Sequence, residues 1–203
     1  MDTRAQQAPA PRWRGVNHLA LVTGDMDTTV RFYVGVLGAR LVATIGTPTF
    51  RHYFFEIGDG NSVAFFEYQG LALEQFAKPA GIPHPLASQF DHVSFALADE
   101  EALLELRDRL KRADCEVTDV VDHGIMHSIY FTDPNGIALE ASWWITDPTG
   151  RAALSFGDES VFADPAPVDA VRELASGGLE RIPATRLVGG FTQQRDDWYA
   201  ARR

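Results

Sequence analysis

The stretch Val121-Asp122-His123-Gly124-Ile125-Met126-His127-Ser128-Ile129-Tyr130-Phe131-Thr132-Asp133-Pro134-Asn135-Gly136-Ile137-Ala138-Leu139-Glu140 decides how the rest of the chain is read. Two strand-like runs flank Asp133-Pro134-Asn135-Gly136. Pro134 and Asn135 suit the middle of a type I turn, and Gly136 supplies the left-handed residue of a bulged hairpin. Counting outward pairs Asp133 with Ile137, Thr132 with Ala138, Phe131 with Leu139 and Tyr130 with Glu140, and cross-strand partners share a face. A phenol and a carboxylate therefore point into the same space. Ile129, Phe131 and Leu139 take the other face, where a helix can cover them.

Upstream of this hairpin, Phe90 to Leu97 alternates as a strand, with His92 and Ser94 on one face and Val93, Phe95 and Leu97 on the other. Glu100 to Ala113 has the spacing of an amphipathic helix burying Leu103, Leu106 and Leu110, and strands follow over Glu116 to Val121, Met126 to Thr132 and Ile137 to Trp144. The same order occurs earlier in the chain. Gly15 to Thr23 reads as a strand and Asp25 or Asp27 caps a helix through Leu37, with Gly38 ending it. Ala39 to Ile45, Arg51 to Ile57 and Ser62 to Tyr68 are the next strands. The predicted fold is α+β, two βαβββ modules forming a curved mixed sheet around a metal cavity with the helices outside. The expected divisions are a disordered tail at 1–14, modules at 15–70 and 90–145, a Pro- and Gly-rich linker at 71–89, and a C-terminal extension at 146–203. In that extension Pro165 or Pro167 can open a helix through Leu174 that Gly177-Gly178 ends, and Phe191 and Trp198 need a surface to cover.

The repeat gives the polar residues their meaning. His18 and His92 both stand near the start of a module's first strand, and Glu67 and Glu140 both stand in its last. The separations are 49 and 48 residues. Two imidazoles and two carboxylates suit Fe(II), Mn(II), Ni(II), Co(II) or Zn(II). His18, His92 and Glu140 would leave open positions for substrate, with Glu67 as an ambiguous fourth ligand inside an apolar run.

Composition narrows the partners. The 203 residues are 45% hydrophobic and 11% aromatic, enough for a substantial core. A formal charge of −10 and pI near 5.0 argue against nucleic acid. No apolar run approaches the ~20 residues of a membrane span, and the expected location is cytoplasmic. Cys115 stands alone and reads as a small buried residue. The expected partners are a small molecule and further copies of the chain, as a dimer or other homo-oligomer.

These modules resemble the paired modules of the vicinal oxygen chelate superfamily, which includes glyoxalase I, extradiol ring-cleaving dioxygenases, methylmalonyl-CoA epimerase and fosfomycin or bleomycin resistance proteins. The resemblance covers about residues 15 to 145. Within it, His123, Ile129-Tyr130, Asp133-Pro134-Asn135-Gly136 and Glu140 resemble the extradiol dioxygenase signature. That resemblance implies His18, His92 and Glu140 as Fe(II) ligands, Tyr130 and His123 as catalytic neighbours, and an aromatic substrate with vicinal oxygens. Glu67 matches the fourth ligand of glyoxalase I, which implies instead a lyase using Ni(II), Co(II) or Zn(II). A third reading is a protein that binds a small aromatic molecule; Trp13, Trp143 and Trp144 suit stacking on it, and equally core or interface packing.

Overall fold

The computed structural model describes residues 15–83, 90–149 and 164–178 and the single positions 197 and 200. The expected tail, Trp13, Phe191, Trp198 and part of the linker lie outside the described residues. Strand β1 (His18–Val22) leads to α1 (Met26–Val30), then β2 (Arg40–Gly46), β3 (Phe50–Gly58) and β4 (Asn61–Tyr68). After the connector come β5 (Val93–Ala96), α2 (Glu100–Arg112), β6 (Val121–Asp122), β7 (Met126–Thr132), β8 (Ala138–Trp144) and α3 (Asp169–Ala175). Two four-stranded mixed sheets result, ordered β1-β4-β3-β2 and β5-β8-β7-β6, with β1·β4 and β5·β8 parallel. The two βαβββ modules expected from the sequence are therefore present.

The chain divides into two compact units. The first, residues 1–121 and 127–143, holds the first module and most of the second. Its core is one cluster drawn from both: Phe32, Tyr33, Phe55 and Phe65 from the first module, and Leu103, Leu110, Ile129 and Leu139 from the second. Full burial of one such side chain stabilises by roughly 1.5–3 kcal/mol. The Asp133–Gly136 turn forms as expected, with Asp133 N–H donating to Ile137 O at 3.1 Å and Gly136 N–H to Asp133 O at 3.0 Å. Gly136 has φ +80°, and the backbone of Phe76 lies over it where a Cβ would stand. The turn also plugs into the first module. Thr23 Oγ1 donates to Asn135 Oδ1 at 2.7 Å, and Tyr33 Oη donates to Asp133 Oδ2 at 3.4 Å. Burial pushes the Asp133 carboxyl above its ordinary value, against the opposing pull of its donors, Asn135 first.

Three elements differ from the expected ones, each for a local reason. The first helix is α-helical only to Val30 and continues as a wider turn over Arg31–Val36, in which Leu37 N–H reaches back to Phe32 O. The run from Glu116 pairs at Val117 with Phe131, and regular pairing resumes at Val121. At the next position Thr118 Oγ1, a side-chain atom, accepts the Tyr130 N–H at 3.0 Å in place of a backbone carbonyl. Strand β5 starts at Val93, not Phe90, because Asp91 is tied to the connector.

The second unit comprises residues 122–126 and 144–203. In it, Ile125 O accepts N–H bonds from Ile145 and Thr146 at 2.9 and 3.0 Å. Helix α3 closes as expected at Gly177-Gly178: Gly177 N–H donates to Leu174 O at 3.1 Å and Gly178 N–H to Glu173 O at 3.0 Å. Among the described residues, no helix is long and apolar enough to cross a membrane.

Candidate metal centre

On β7 and β8, Ile129, Phe131, Leu139 and Ala141 enter the core, so the residues alternating with them, Ser128, Tyr130, Glu140 and Ser142, share the opposite face. Strand pairing sets Ser94 opposite Glu140. His92, two residues before Ser94, reaches the same carboxylate: His92 Nε2 lies 3.0 Å from Glu140 Oε2, while the Tyr130 hydroxyl donates to Glu140 Oε1 at 3.2 Å. The face-sharing of Tyr130 and Glu140 derived from the turn is thus realised as a hydrogen bond. Glu140 is only 5% exposed. Burial pushes its carboxyl up, but the Ser128 and Ser94 hydroxyls, the His92 ring and Tyr130 together hold it below the ordinary glutamate value. Ser128 Oγ is itself buried beside this carboxylate. Ser94 and Ser142 bond each other at 2.9 Å.

The far side of His92 is fixed too. Its Nδ1 lies 2.5 Å from Asp91 Oδ1, and Asp91 also accepts from Gly81 N–H at 2.8 Å and from the Lys78 ammonium at 3.0 Å. A carboxylate can only accept, so Nδ1 carries a proton, and Nε2 faces Glu140 either as a second N–H donor or with its lone pair. Two lone-pair donors 3.0 Å apart need a proton or a cation near both. Two donors bound at right angles to one metal at ~2.1 Å also stand ~3.0 Å apart. The pair therefore fits adjacent positions on a divalent metal.

In the first module, His18 shares its face of β1 with Ala20 and Val22, away from the core-facing Leu21. Its Nδ1 accepts no proton there but donates one, to Asn17 Oδ1 at 2.7 Å. Around it lies a floor of rings. His18 meets Phe54 edge-on at 5.3 Å, His52 stacks on Phe66 at 3.5 Å, and Phe66 is parallel to Tyr68 at 5.5 Å. Burial and then the neighbouring His18 push the His52 ring below the ordinary histidine value.

Glu67 stands elsewhere. β1 pairs with β4 through His18 and Ser62, so the His18 face of β4 carries Ser62, Ala64 and Phe66. Glu67 alternates onto the helix side with Val63 and Phe65, where it accepts Met26 N–H at 3.1 Å and pairs with Arg51. Its expected equivalence with Glu140 is corrected by this register. Separations of 49 and 48 residues look equal along a chain, but in a strand a one-residue difference turns a side chain to the other face. His123 lies in the second unit, where its N–H donates to Met126 O at 3.0 Å. Among the described residues, no group of three or more His, Cys, Asp or Glu side chains is close enough to hold a metal. One copy of the chain brings His92, Glu140 and Tyr130 together and leaves His18 and Glu67 apart from them. Sequence reasoning missed Asn17, Lys78, Asp91 and His52. The first and third were legible only as polar residues preceding each histidine.

Residues 15–141 match the Glyoxalase/Bleomycin resistance protein/Dioxygenase superfamily, and the chain belongs to that family. Its members generally depend on a divalent metal and bind small molecules, often as oligomers. The chain is 26% identical over 129 residues to a metallothiol transferase FosB of Lysinibacillus sphaericus, covering 63% of this chain and 80% of that one. It is 27% identical over 126 residues to a probable lactoylglutathione lyase of Vibrio parahaemolyticus, covering 61% and 86%. Among solved structures, a glyoxylase/bleomycin resistance protein/dioxygenase domain from Frankia sp. EAN1pec shares the fold with TM-score 0.57 at 24% identity, over 65% of this chain and 98% of that one.

Proposed function

We propose that this protein is a metal-dependent enzyme of extradiol ring-cleaving type, whose Fe(II) site takes His18 from one copy and His92 and Glu140 from a second. The observation that carries the aromatic substrate is the ring floor beside His18, formed by Phe54, His52, Phe66 and Tyr68. Flat rings stack favourably on such a surface, each pair contributing ~0.5–1.5 kcal/mol beyond its buried area. Sharing between copies is supported by the packing: both ligand faces point away from the core that joins the modules. A second copy can bring one module's His18 opposite the other's His92 and Glu140. The cytoplasm is the expected compartment.

Two imidazoles and one carboxylate suit Fe(II) or Mn(II). When bound, the metal would supply Lewis-acid chemistry toward adjacent substrate oxygens and O₂. The ring floor holds the substrate flat. The Tyr130 hydroxyl, now on Glu140, is placed to hold a substrate oxygen, and the serine hydroxyls supply further polar contacts. A cavity of about 610 Å³ beside Tyr130, walled by Val117 and by Pro79 and Ile82 of the connector, gives room for substituents.

Tyr130→Phe removes one hydrogen bond and almost no volume. Loss of a bond worth roughly 1.5–3 kcal/mol, made mainly in the transition state, lowers turnover about ten- to a hundredfold with metal content unchanged. Unchanged kinetics would make Tyr130 a wall residue. The reaction itself is tested by iron analysis with oxygen uptake on a panel of catechols. Oxygen consumption with iron supports ring cleavage, and its absence across the panel with the iron-loaded protein sinks it.

The relatives favour a second reading, metal-assisted chemistry on a thiol substrate, as the names metallothiol transferase and lactoylglutathione lyase describe for those proteins. In its lyase form Glu67 is a ligand and base. With Glu67 engaged by Met26 and Arg51, Glu67→Gln is expected to keep both metal and turnover. Loss of both, measured by metal content and rate, would restore the four-ligand lyase.

A further inference from the structure

The residue preceding each candidate histidine ligand does the same thing in both modules. Asn17 Oδ1 takes the His18 Nδ1 proton at 2.7 Å, and Asp91 Oδ1 takes the His92 Nδ1 proton at 2.5 Å. Neighbouring residues in an extended strand point to opposite faces, so this pairing requires the chain to bend just before the strand. In each module the paired residue indeed precedes the strand, which starts at His18 or at Val93.

The second module adds a support from the connector. Lys78, from the connector, is 5% exposed, yet all three protons of its ammonium are taken. They go to Pro79 O at 3.1 Å, Asp91 O at 3.1 Å and Asp91 Oδ2 at 3.0 Å. A buried ammonium is costly unless so completely bonded. Gly81 N–H holds the other Asp91 oxygen. The connector therefore grips both oxygens of the group that orients His92.

We propose that Asn17 and Asp91 are positioning residues that lock both histidines in the Nδ1–H form and aim Nε2 at the open face, with Lys78 clamping Asp91. This rests on the site proposed above, with His18 and His92 as ligands. A histidine's free nitrogen is set by the bond its other nitrogen makes, and such a partner raises its basicity as a ligand. The carboxylate and its clamp make His92 the stronger anchor and the amide makes His18 the weaker.

The test uses the full chain, titrated with Zn(II) against a competing chelator, together with imidazole ¹⁵N spectra of the metal-free protein. Asp91→Ala is expected to weaken Zn(II) binding by roughly ten- to a hundredfold. It should also move His92 out of the Nδ1–H form, a change that loss of packing alone would not produce. Asp91→Asn keeps an acceptor oxygen and should restore the ring form and most of the affinity. Asn17→Ala should move the His18 ring form with a smaller loss of affinity, and it carries the test if Asp91→Ala does not fold. His92→Ala separates the two claims. If it loses Zn(II) while Asp91→Ala and Asn17→Ala change neither ring form nor affinity, the positioning role is overturned. If His92→Ala retains Zn(II), the proposed site itself is wrong.

Discussion

Glu140→Ala is expected to lower metal affinity by roughly two to three orders of magnitude, from the share that one ligand holds in a total of ~10–16 kcal/mol for a four-ligand site. The carboxylate is nearly buried and meets both His92 Nε2 and the Tyr130 hydroxyl. Its removal takes away a carboxylate, and its described neighbours on that face, Ser94, Ser128, Tyr130 and Ser142, carry none. The fold should persist, because Leu139 and Ala141, its strand neighbours, enter the core from the opposite face. Metal titration with circular dichroism checks both halves. Full occupancy in a folded variant would remove Glu140 from the site.

The fold was legible because its signals are periodic. Alternation and turn chemistry located the Asp133–Gly136 hairpin, and the observed bonds at Asp133, Ile137 and Gly136 follow the expected register. The helix from Glu100 was legible from its leucines, two of which, Leu103 and Leu110, are fully buried. What was not legible depends on side chains that interrupt a pattern. Thr118 breaks a strand through its hydroxyl, and Asp91 delays another because Lys78 and Gly81 hold it. A propensity reading sees only apolar periodicity at those positions.

The candidate site was legible in part, for the same reason. Tyr130 and Glu140 are joined by local geometry that a two-residue period determines. Glu67 could not be placed this way, since its face depends on the pairing of β1 with β4 across more than forty residues of chain. Nor does alternation reveal which face of one module meets which face of another. That is fixed by Tyr33, Phe55 and Phe65 packing with Leu103, Ile129 and Leu139, and by the polar contacts of Thr23 and Tyr33 with the hairpin turn. This packing turns the faces that carry His18 and His92 away from the shared core, so the three-ligand site proposed above would draw on a second copy.

The most direct test of that central claim mixes two inactive variants. His18→Ala and His92→Ala should each bind metal poorly and turn over nothing, since every site in either homodimer lacks one ligand. In a mixed dimer, one site combines both damaged histidines, and the other combines an intact His18 from one chain with an intact His92 and Glu140 from its partner. Random re-pairing of equal amounts makes half the dimers mixed, so about a quarter of the parent's sites and activity should return. The measurement is metal content and turnover after the two variants are unfolded together and refolded, beside each variant refolded alone. Recovery near a quarter is the result expected of a site shared between copies. No recovery, from mixed dimers shown to have formed, would contradict it.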